Sequence, residues 1–277
     1  MTGVQTCALP ILVQANSASF FVNLFAAWDL GACVVPVSIN STEMEINFIL
    51  DHSGASHVYR QGSFHRLEPA VSGPPRNSAL LMYTSGSTGA PKGVLLDWPA
   101  LESKIRTIAT VLTDQALERT LCVLPVSFGH GLIGNSLPAL YLGCDLLIEP
   151  AFSTEMAQCF GEFLDARGIT FFSSVPSLWS SVLPFAAPPI SKKIRSAFCA
   201  SADLSVANWK SVKNWLGSQV DFRNVYGITE AGSWISALPA GVEYREPGLV
   251  GSGWNCEFRI DPANQEILVK APYVMRG

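Results

Sequence analysis

Apolar positions along the 277-residue chain switch repeatedly between helical spacing and short unbroken runs. In ASFFVNLFAAWDLG (18–31), Phe20, Phe21, Leu24, Phe25 and Trp28 fall on one helical face, and Gly31 supplies a C-terminal stop. ACVVPV (32–37) is a continuous apolar run, the pattern of a buried strand. In STEMEINFILDHSG (41–54), Thr42 and Glu45 stand at capping-box spacing, and Gly54 ends the helix. SGPPRNS (72–78) reads as a connector.

From residue 79 the two patterns alternate regularly. The apolar runs 79–83, 93–96, 121–125, 144–149, 169–174, 194–200 and 220–227 read as strands. Between them, a helix starts near Pro99 with Leu101, Ile105, Ile108 and Leu112 on its inner face, and 131–143 reads as a helix interrupted near Pro138. Residues 153–168 read as one helix capped by Ser153, and 176–183 and 205–217 complete the set. Such alternation predicts an α/β fold with largely parallel sheets flanked by helices. After residue 240 the pattern changes to short strands with turn residues between them, GLVGSGW, CEFRID and EILVKA, which predicts the start of a small β subdomain over 241–277.

Composition narrows the function classes. With 48% hydrophobic and 14% charged residues the chain is globular, and a net charge of −4 gives no electrostatic reason for nucleic-acid binding. No apolar run reaches membrane-spanning length. The seven cysteines, at 7, 33, 122, 144, 159, 199 and 256, form no C-x-x-C pair; most sit in apolar runs, which points to structural thiols in a reducing, cytoplasmic setting. The opening MTGVQTCALPI lacks a positive n-region, since the first basic residue is Arg60. Its codons match a sequencing adapter, so residues 1–11 are expected to be an artefact and 12–240 an α/β domain.

The stretch YTSGSTGAPKG (83–93) places small hydroxyls, bare backbone amides and one lysine between two apolar runs. A linker would separate domains; here the stretch interrupts buried segments, which favours a polyanion cradle. It is not a Walker A loop, because no Gly-Lys-Ser/Thr follows and Pro91 precedes Lys92.

The full string LMYTSGSTGAPKGV (81–94) resembles the signature loop of the adenylate-forming superfamily, which includes acyl-CoA and aryl-CoA synthetases, luciferases and peptide-synthetase adenylation domains. VYGITEAG (225–232) resembles a second motif of that family, and the segment from PGLVGSG (247–253) onward is a weaker third match. The resemblance covers nearly all of residues 12–277 and implies ATP-dependent activation of a carboxylic acid. Coenzyme A, or the phosphopantetheine of an acyl carrier protein, would then accept the acyl group. It implies that Thr84, Ser85, Gly86, Ser87, Thr88, Gly89 and Lys92 grip the ATP pyrophosphate. Tyr226 would stack on adenine beside Gly227, Thr229 would contact the α-phosphate, and Glu230 would hold Mg²⁺. Lys92, Thr229 and Glu230 are thus the catalytic candidates, with Glu230 the metal ligand.

The chain departs from the family at two places. ASADLS (200–205) replaces the usual Gly-Gly-Ala-Pro-Leu; Ser201 and Ala202 would still border the nucleotide, with Ala200 narrowing the acyl pocket. In LPVSFGHG (124–131) the family's pocket position falls on Phe128, which leaves His130 outside the catalytic set. Gly129 stands where amino-acid-activating relatives place an Asp, which disfavours an amino-acid substrate. Two rivals remain: an adenylation domain loading a carrier protein, and a non-catalytic nucleotide-binding remnant. The family's later motifs and its C-terminal lid domain would follow residue 277, so the chain is expected to be part of the large N-terminal domain, with the β subdomain truncated and little activity of its own.

Overall fold

The computed structural model describes residues 8–68, 71–84, 91–150 and 152–276. The N-terminal third forms a four-stranded sheet. Its central strand β1 (Pro10–Gln14) lies between β2 (Val35–Ser38) and β3 (His57–Arg60), parallel to both, and β4 (Ser63–Arg66) pairs antiparallel with β3. The boundary expected after residue 11 falls inside β1, where Ile11 pairs with Val35 and Val58 and is fully buried.

Helix α1 (Ala18–Asp29) starts because Ser17 accepts the Phe20 N–H, and α2 (Glu43–Ser53) starts on the reciprocal Thr42–Glu45 capping box. Gly54, left-handed at φ +71°, ends α2 as the sequence indicates. Phe20, Phe21, Leu24 and Ala27 are the buried face of α1. Phe25, expected on that face, is 43% exposed, and Trp28 sits at the edge, where its indole donates to Ala79 O at 2.9 Å.

Strands β5 (Ser78–Thr84) and β6 (Lys92–Asp97) form an antiparallel hairpin whose apolar faces pack on α1 and on α3 (Trp98–Val111). Asp97 caps α3 by accepting the Ala100 N–H, and Pro99 occupies the first turn, where a missing N–H costs nothing. The short α4 (Asp114–Leu117) leads into the second sheet.

That sheet has seven strands in the order β13-β12-β11-β10-β9-β7-β8. Strands β7 (Arg119–Cys122), β8 (Asp145–Ile148), β9 (Phe171–Ser174), β10 (Ser196–Cys199) and β11 (Asp221–Ile228) are parallel. Strands β12 (Ser233–Ala237) and β13 (Ser252–Gly253) extend it antiparallel. Helices connect the parallel strands, as their handedness requires. A π-helical turn at His130–Ser136 runs into α5 (Leu137–Tyr141), so the interruption expected near Pro138 is a change of helical winding at residues 136–137. The single helix expected over 153–168 is two, α6 (Thr154–Gln158) and α7 (Phe160–Arg167), broken at Cys159. At the start of α7, a Cβ on Gly161 would stand 2.1 Å from Ala187 O, a close approach that dictates where the second helix runs.

Helices α6, α7, α8 (Pro176–Val182) and α9 (Val206–Leu216) cover one face of the sheet. Phe160 meets Phe172 edge-on at 5.4 Å and Trp179 packs on Trp215 at 5.5 Å, all four nine-tenths or more buried. Each such ring stabilises the fold by about 1.5–3 kcal/mol through burial alone. Beyond residue 240, β13 joins the large sheet and Tyr244 buries against Trp209, while β14 (Glu257–Ile260) and β15 (Ile267–Lys270) form a separate antiparallel pair. Among the described residues no helix is long and apolar enough to cross a membrane.

Candidate active site

Four segments converge at the C-terminal ends of the parallel strands, the usual ligand crevice of an open α/β sheet. They are the end of the β5–β6 hairpin, the turn 125–131 after β7, residues 200–201 after β10, and the turn joining β11 to β12. The last is built by glycine and a tight bend. A Cβ on Gly227 would come within 2.5 Å of Ser233 O, so only a bare Cα lets the two antiparallel strands close there. The pairing shifts register between Tyr226 and Gly227, and the 3₁₀ turn Thr229–Ala231 reverses the chain. Strand β6 packs against this turn, with Leu96 against Gly232, and Arg276 N–H donates to Leu95 O while Met275 N–H donates to Glu230 O.

A cavity of about 230 Å³ opens at the junction. Gly129, His130, Ala200, Ser201, Gly227, Ile228, Thr229, Ser233 and Trp234 line it. Four residues singled out in the sequence therefore share one space: Ala200, Ser201, Gly227 and Thr229. Three others lie elsewhere. Phe128 is 51% exposed and borders a separate 170 Å³ cavity with Thr84 and Pro91. Ala202 is exposed outside the wall. Tyr226 is half-buried against the small cluster of Ala231, Ile235 and Tyr273.

Thr84 and Lys92 face each other as the last pair of the hairpin, with Lys92 exposed. Ser85, Gly86, Ser87, Thr88 and Gly89 lie outside the described residues. The Glu230 carboxylate is half-buried and has no protein partner among the described residues, while its backbone oxygen accepts the Met275 N–H at 2.6 Å.

His130 is the residue that sequence reasoning set aside and the fold brings in. Its Nδ1 lies 2.7 Å from Ser201 Oγ, and its Nε2 contacts Ser173 Oγ on β9. Its ring meets Trp234 edge-on at 5.3 Å. Burial among these groups pushes His130 down to about 3, so the imidazole is neutral at physiological pH. Its partners lie 43 and 71 residues away in sequence, beyond any local pattern. The flanking Gly129 and Gly131 were the available signal: a Cβ on Gly131 would stand 2.4 Å from Pro125 O, and one on Gly129 2.7 Å from Gly232 O.

Ser201 adopts φ +71°, a left-handed conformation that strains a side-chain-bearing residue, and its hydrogen bond to His130 opposes that strain.

Behind the wall, Lys104 of α3 is 1% exposed. Its Nζ donates to Trp234 O at 2.7 Å and lies 3.3 Å from the centre of the Tyr273 ring. Among the described residues no carboxylate pairs with it. Burial pushes this lysine down to about 6, opposed by the neighbouring Cys256.

No group of three or more His, Cys, Asp or Glu side chains among the described residues forms a self-sufficient metal site. A lone carboxylate next in sequence to the Thr229 hydroxyl fits instead a Mg²⁺ ion carried in with phosphate oxygens, which needs one or two protein carboxylates. The hairpin lysine and the Thr229 hydroxyl can meet the phosphates themselves.

A family model described as AMP-binding enzyme matches residues 60–277. The human mitochondrial malonate–CoA ligase is 27% identical over 86% of the chain and 48% of its own length. The oxalate–CoA ligase of Arabidopsis thaliana is 29% identical over 73% of the chain and 41% of its own. The chain thus spans about half the length of the curated relatives it matches. Among solved structures, o-succinylbenzoate coenzyme A synthetase from Bacillus subtilis in complex with ATP and magnesium superposes with a TM-score of 0.81. It covers 99% of the chain and 62% of its own at 22% identity, a likeness of fold.

Proposed function

The chain belongs to the AMP-binding enzyme family, and from that premise we propose that it serves ATP-dependent activation of a carboxylic acid. In this reaction a carboxylate oxygen attacks the α-phosphorus of ATP, the bond to the bridging oxygen breaks, and pyrophosphate leaves. A thiol, coenzyme A in our reading, then attacks the acyl carbon and releases AMP, its proton passing to solvent. The observation that supports this reading is the placement of Thr229 on an uncharged cavity with Gly129, while Thr84 and Pro91 at the hairpin end border the neighbouring cavity with Phe128, the residue before Gly129.

The roles follow from position. Lys92 neutralises the departing pyrophosphate, with the small residues 85–89 supplying amides and hydroxyls around it. Thr229 donates its hydroxyl to the α-phosphate, on the lining of the cavity that takes the acyl group. Glu230 holds Mg²⁺, and the bound ion supplies neutralisation of phosphate charge. Catalysis of this kind is chiefly positioning and electrostatic stabilisation of charge as it moves to the leaving group. Tyr226 and Ala202 belong to the adenine side in this reading, and Phe128 to the approach to the acyl cavity.

Coenzyme A as acceptor is supported by the names of the relatives, which are CoA ligases. The missing acidic group at Gly129 argues against an amino acid and, with it, against a peptide-synthetase role. The cysteines at 122, 144, 159, 199 and 256 form no disulfide among the described residues, which suits a reducing, cytoplasmic compartment.

The test is product analysis with ATP over a panel of carboxylic acids. Pyrophosphate released in step with the acid supports activation. Orthophosphate released without any acid would make the protein a nucleoside triphosphatase and overturn the proposal.

A further inference from the structure

Two segments that the sequence singles out for different reasons, LPVSFGHG and ASADLS, meet in space at His130 and Ser201. Ser201 takes φ +71°, a conformation that suits glycine and that costs a residue with a Cβ roughly tenfold in population. Its hydroxyl lies 2.7 Å from His130 Nδ1. Ser201, Ala202 and Asp203 are all exposed, between the end of β10 and the Ser205 cap of α9. Just before them, Ala200 N–H donates to Ser174 O at 3.1 Å. Among the described residues the bond to His130 is the one hydrogen bond that the three exposed residues make.

His130 is the rigid half of this pair. It opens the π-helical turn 130–136, and the glycines on either side press bare backbone against their neighbours: a Cβ on Gly129 would stand 2.7 Å from Gly232 O, and one on Gly131 2.4 Å from Pro125 O. Its ring meets Trp234 edge-on at 5.3 Å, and its Nε2 contacts the Oγ of Ser173, a residue of β9 that is 1% exposed. A side chain packed and bonded on so many sides keeps its rotamer.

The direction of each bond follows from what is buried. Burial keeps the imidazole neutral, so one nitrogen donates and the other accepts. Among the described residues Ser173 Oγ has no hydrogen-bond partner besides His130, and a buried hydroxyl proton left unpaired is costly. Ser173 therefore donates to Nε2. Nδ1 carries the imidazole proton and donates it to Ser201 Oγ, and the Ser201 proton stays free. A donor fixed on the core of the sheet thus holds a strained, exposed residue in place.

We infer that His130 is a positioning residue of the adenylation site: braced by Ser173, it holds Ser201 left-handed on the cavity lining, so that residues 201–203 stand preformed for the nucleotide. This inference rests on the adenylation reading, in which Ser201 and Ala202 border the nucleotide. The gain is preorganisation. Without the bond Ser201 relaxes to a conformation common for residues with a Cβ, the ligand must restore the turn, and apparent affinity falls by the fraction of chains that still hold it.

The experiment is calorimetric titration of AMP into wild type, His130→Gln, Ser201→Gly and the double variant, each with its thermal unfolding curve. A glutamine amide reaches the place of Nε2, where it still meets Ser173, but not that of Nδ1. His130→Gln is expected to weaken AMP binding by about tenfold in the wild-type background. In the Ser201→Gly background the same change should cost less than about threefold, because glycine takes φ +71° unaided. His130→Asn, whose amide takes the place of Nδ1, should retain more affinity than His130→Gln, and it is compared with wild type directly where glutamine prevents folding. An equal loss from His130→Gln in both backgrounds, or His130→Asn retaining no more affinity than His130→Gln, would show that His130 acts only as part of the core; either would overturn the inference and leave adenylation standing. A folded wild-type chain that binds no AMP would overturn the adenylation reading and the inference with it.

Discussion

Replacing Lys104 by methionine tests whether a buried, unpaired lysine props the wall of the site. The side chain is 1% exposed, and burial pushes it down to about 6 from an ordinary 10.5. Between these two values the unfolded chain holds a proton that the folded chain lacks. Stability therefore rises with pH across that window and falls as pH drops toward 6. Each pH unit is worth about 1.4 kcal/mol, so raising the pH from 7 to 9 stabilises the wild-type fold by up to about 2.7 kcal/mol through this group. The ammonium's contact with the Tyr273 ring works against this and reduces the gain by about 1–2 kcal/mol at most.

Methionine fills a similar volume and carries no proton, so this slope disappears in the variant. It also leaves Trp234 O without its donor, a loss of about 1–3 kcal/mol. Lysine left unprotonated costs the wild-type fold about 2 kcal/mol at pH 9, which offsets that loss, so Lys104→Met is expected to match wild type closely at pH 9 and to become the more stable of the two by up to about 2.7 kcal/mol as pH falls to 7. The assay is urea unfolding followed by tryptophan fluorescence at pH 7, 8 and 9. Cys122 and Cys199, which burial pushes up to about 11 and 12, lower stability as the unfolded thiols ionise toward pH 9, but they do so equally in both proteins, so the difference between the two slopes isolates Lys104. Parallel stability curves for wild type and variant would show that Lys104 keeps its proton in the fold and would refute the reasoning.

Three further outcomes bear on the site and its scaffold. Lys92→Ala should weaken MgATP binding by about tenfold or more without lowering stability, because Lys92 is exposed at a strand end; isothermal titration with parallel unfolding curves checks this. Glu230→Gln should abolish most of the Mg²⁺ dependence of nucleotide binding while sparing metal-free binding, since the amide keeps the size but not the charge; titrations with and without Mg²⁺ decide it. Gly131→Ala should destabilise the fold by about 1–3 kcal/mol, because the added Cβ would stand 2.4 Å from Pro125 O and 2.8 Å from Leu124 O, both backbone atoms that cannot step aside; thermal unfolding reads the loss.

Local signals in the sequence carried the fold a long way. The Thr42–Glu45 capping box, the Gly54 stop and the Ser153 cap all act on the residues beside them, and each is present in the structure. Strand β1 is hidden because its first two residues, Pro10 and Ile11, lie in the stretch set aside at the start of the chain. The β3–β4 hairpin is hidden by polar residues, since Ser63–Arg66 is exposed throughout and offers no apolar alternation. Strand β12, SWISA, is buried at all five positions, so neither periodicity marks it.

The site shows the same division. Gly227 and Thr229 belong to a contiguous motif, and the fold sets them on the cavity wall. His130 and Trp234 are read only in three dimensions, because Ser173, Ser201 and Lys104 reach them from distant strands and helices. Lys104 is the clearest case: a charged residue on the inner face of α3 contradicts amphipathic patterning, and only the Trp234 carbonyl and the Tyr273 ring explain it.

The central claim, attack of a carboxylate oxygen on the α-phosphorus beside Thr229 and Glu230, is tested most directly by isotope transfer. The protein would be supplied with MgATP, coenzyme A and an acid that drives pyrophosphate release, labelled with ¹⁸O in both carboxylate positions, and the AMP formed would be weighed by mass spectrometry. The account predicts one ¹⁸O atom in each AMP, carried over as the former carboxylate oxygen when the thiol takes the acyl group. AMP that is unlabelled in this experiment but gains its oxygen from ¹⁸O-labelled water would mean that water, not the acid, attacks the nucleotide, and would contradict it.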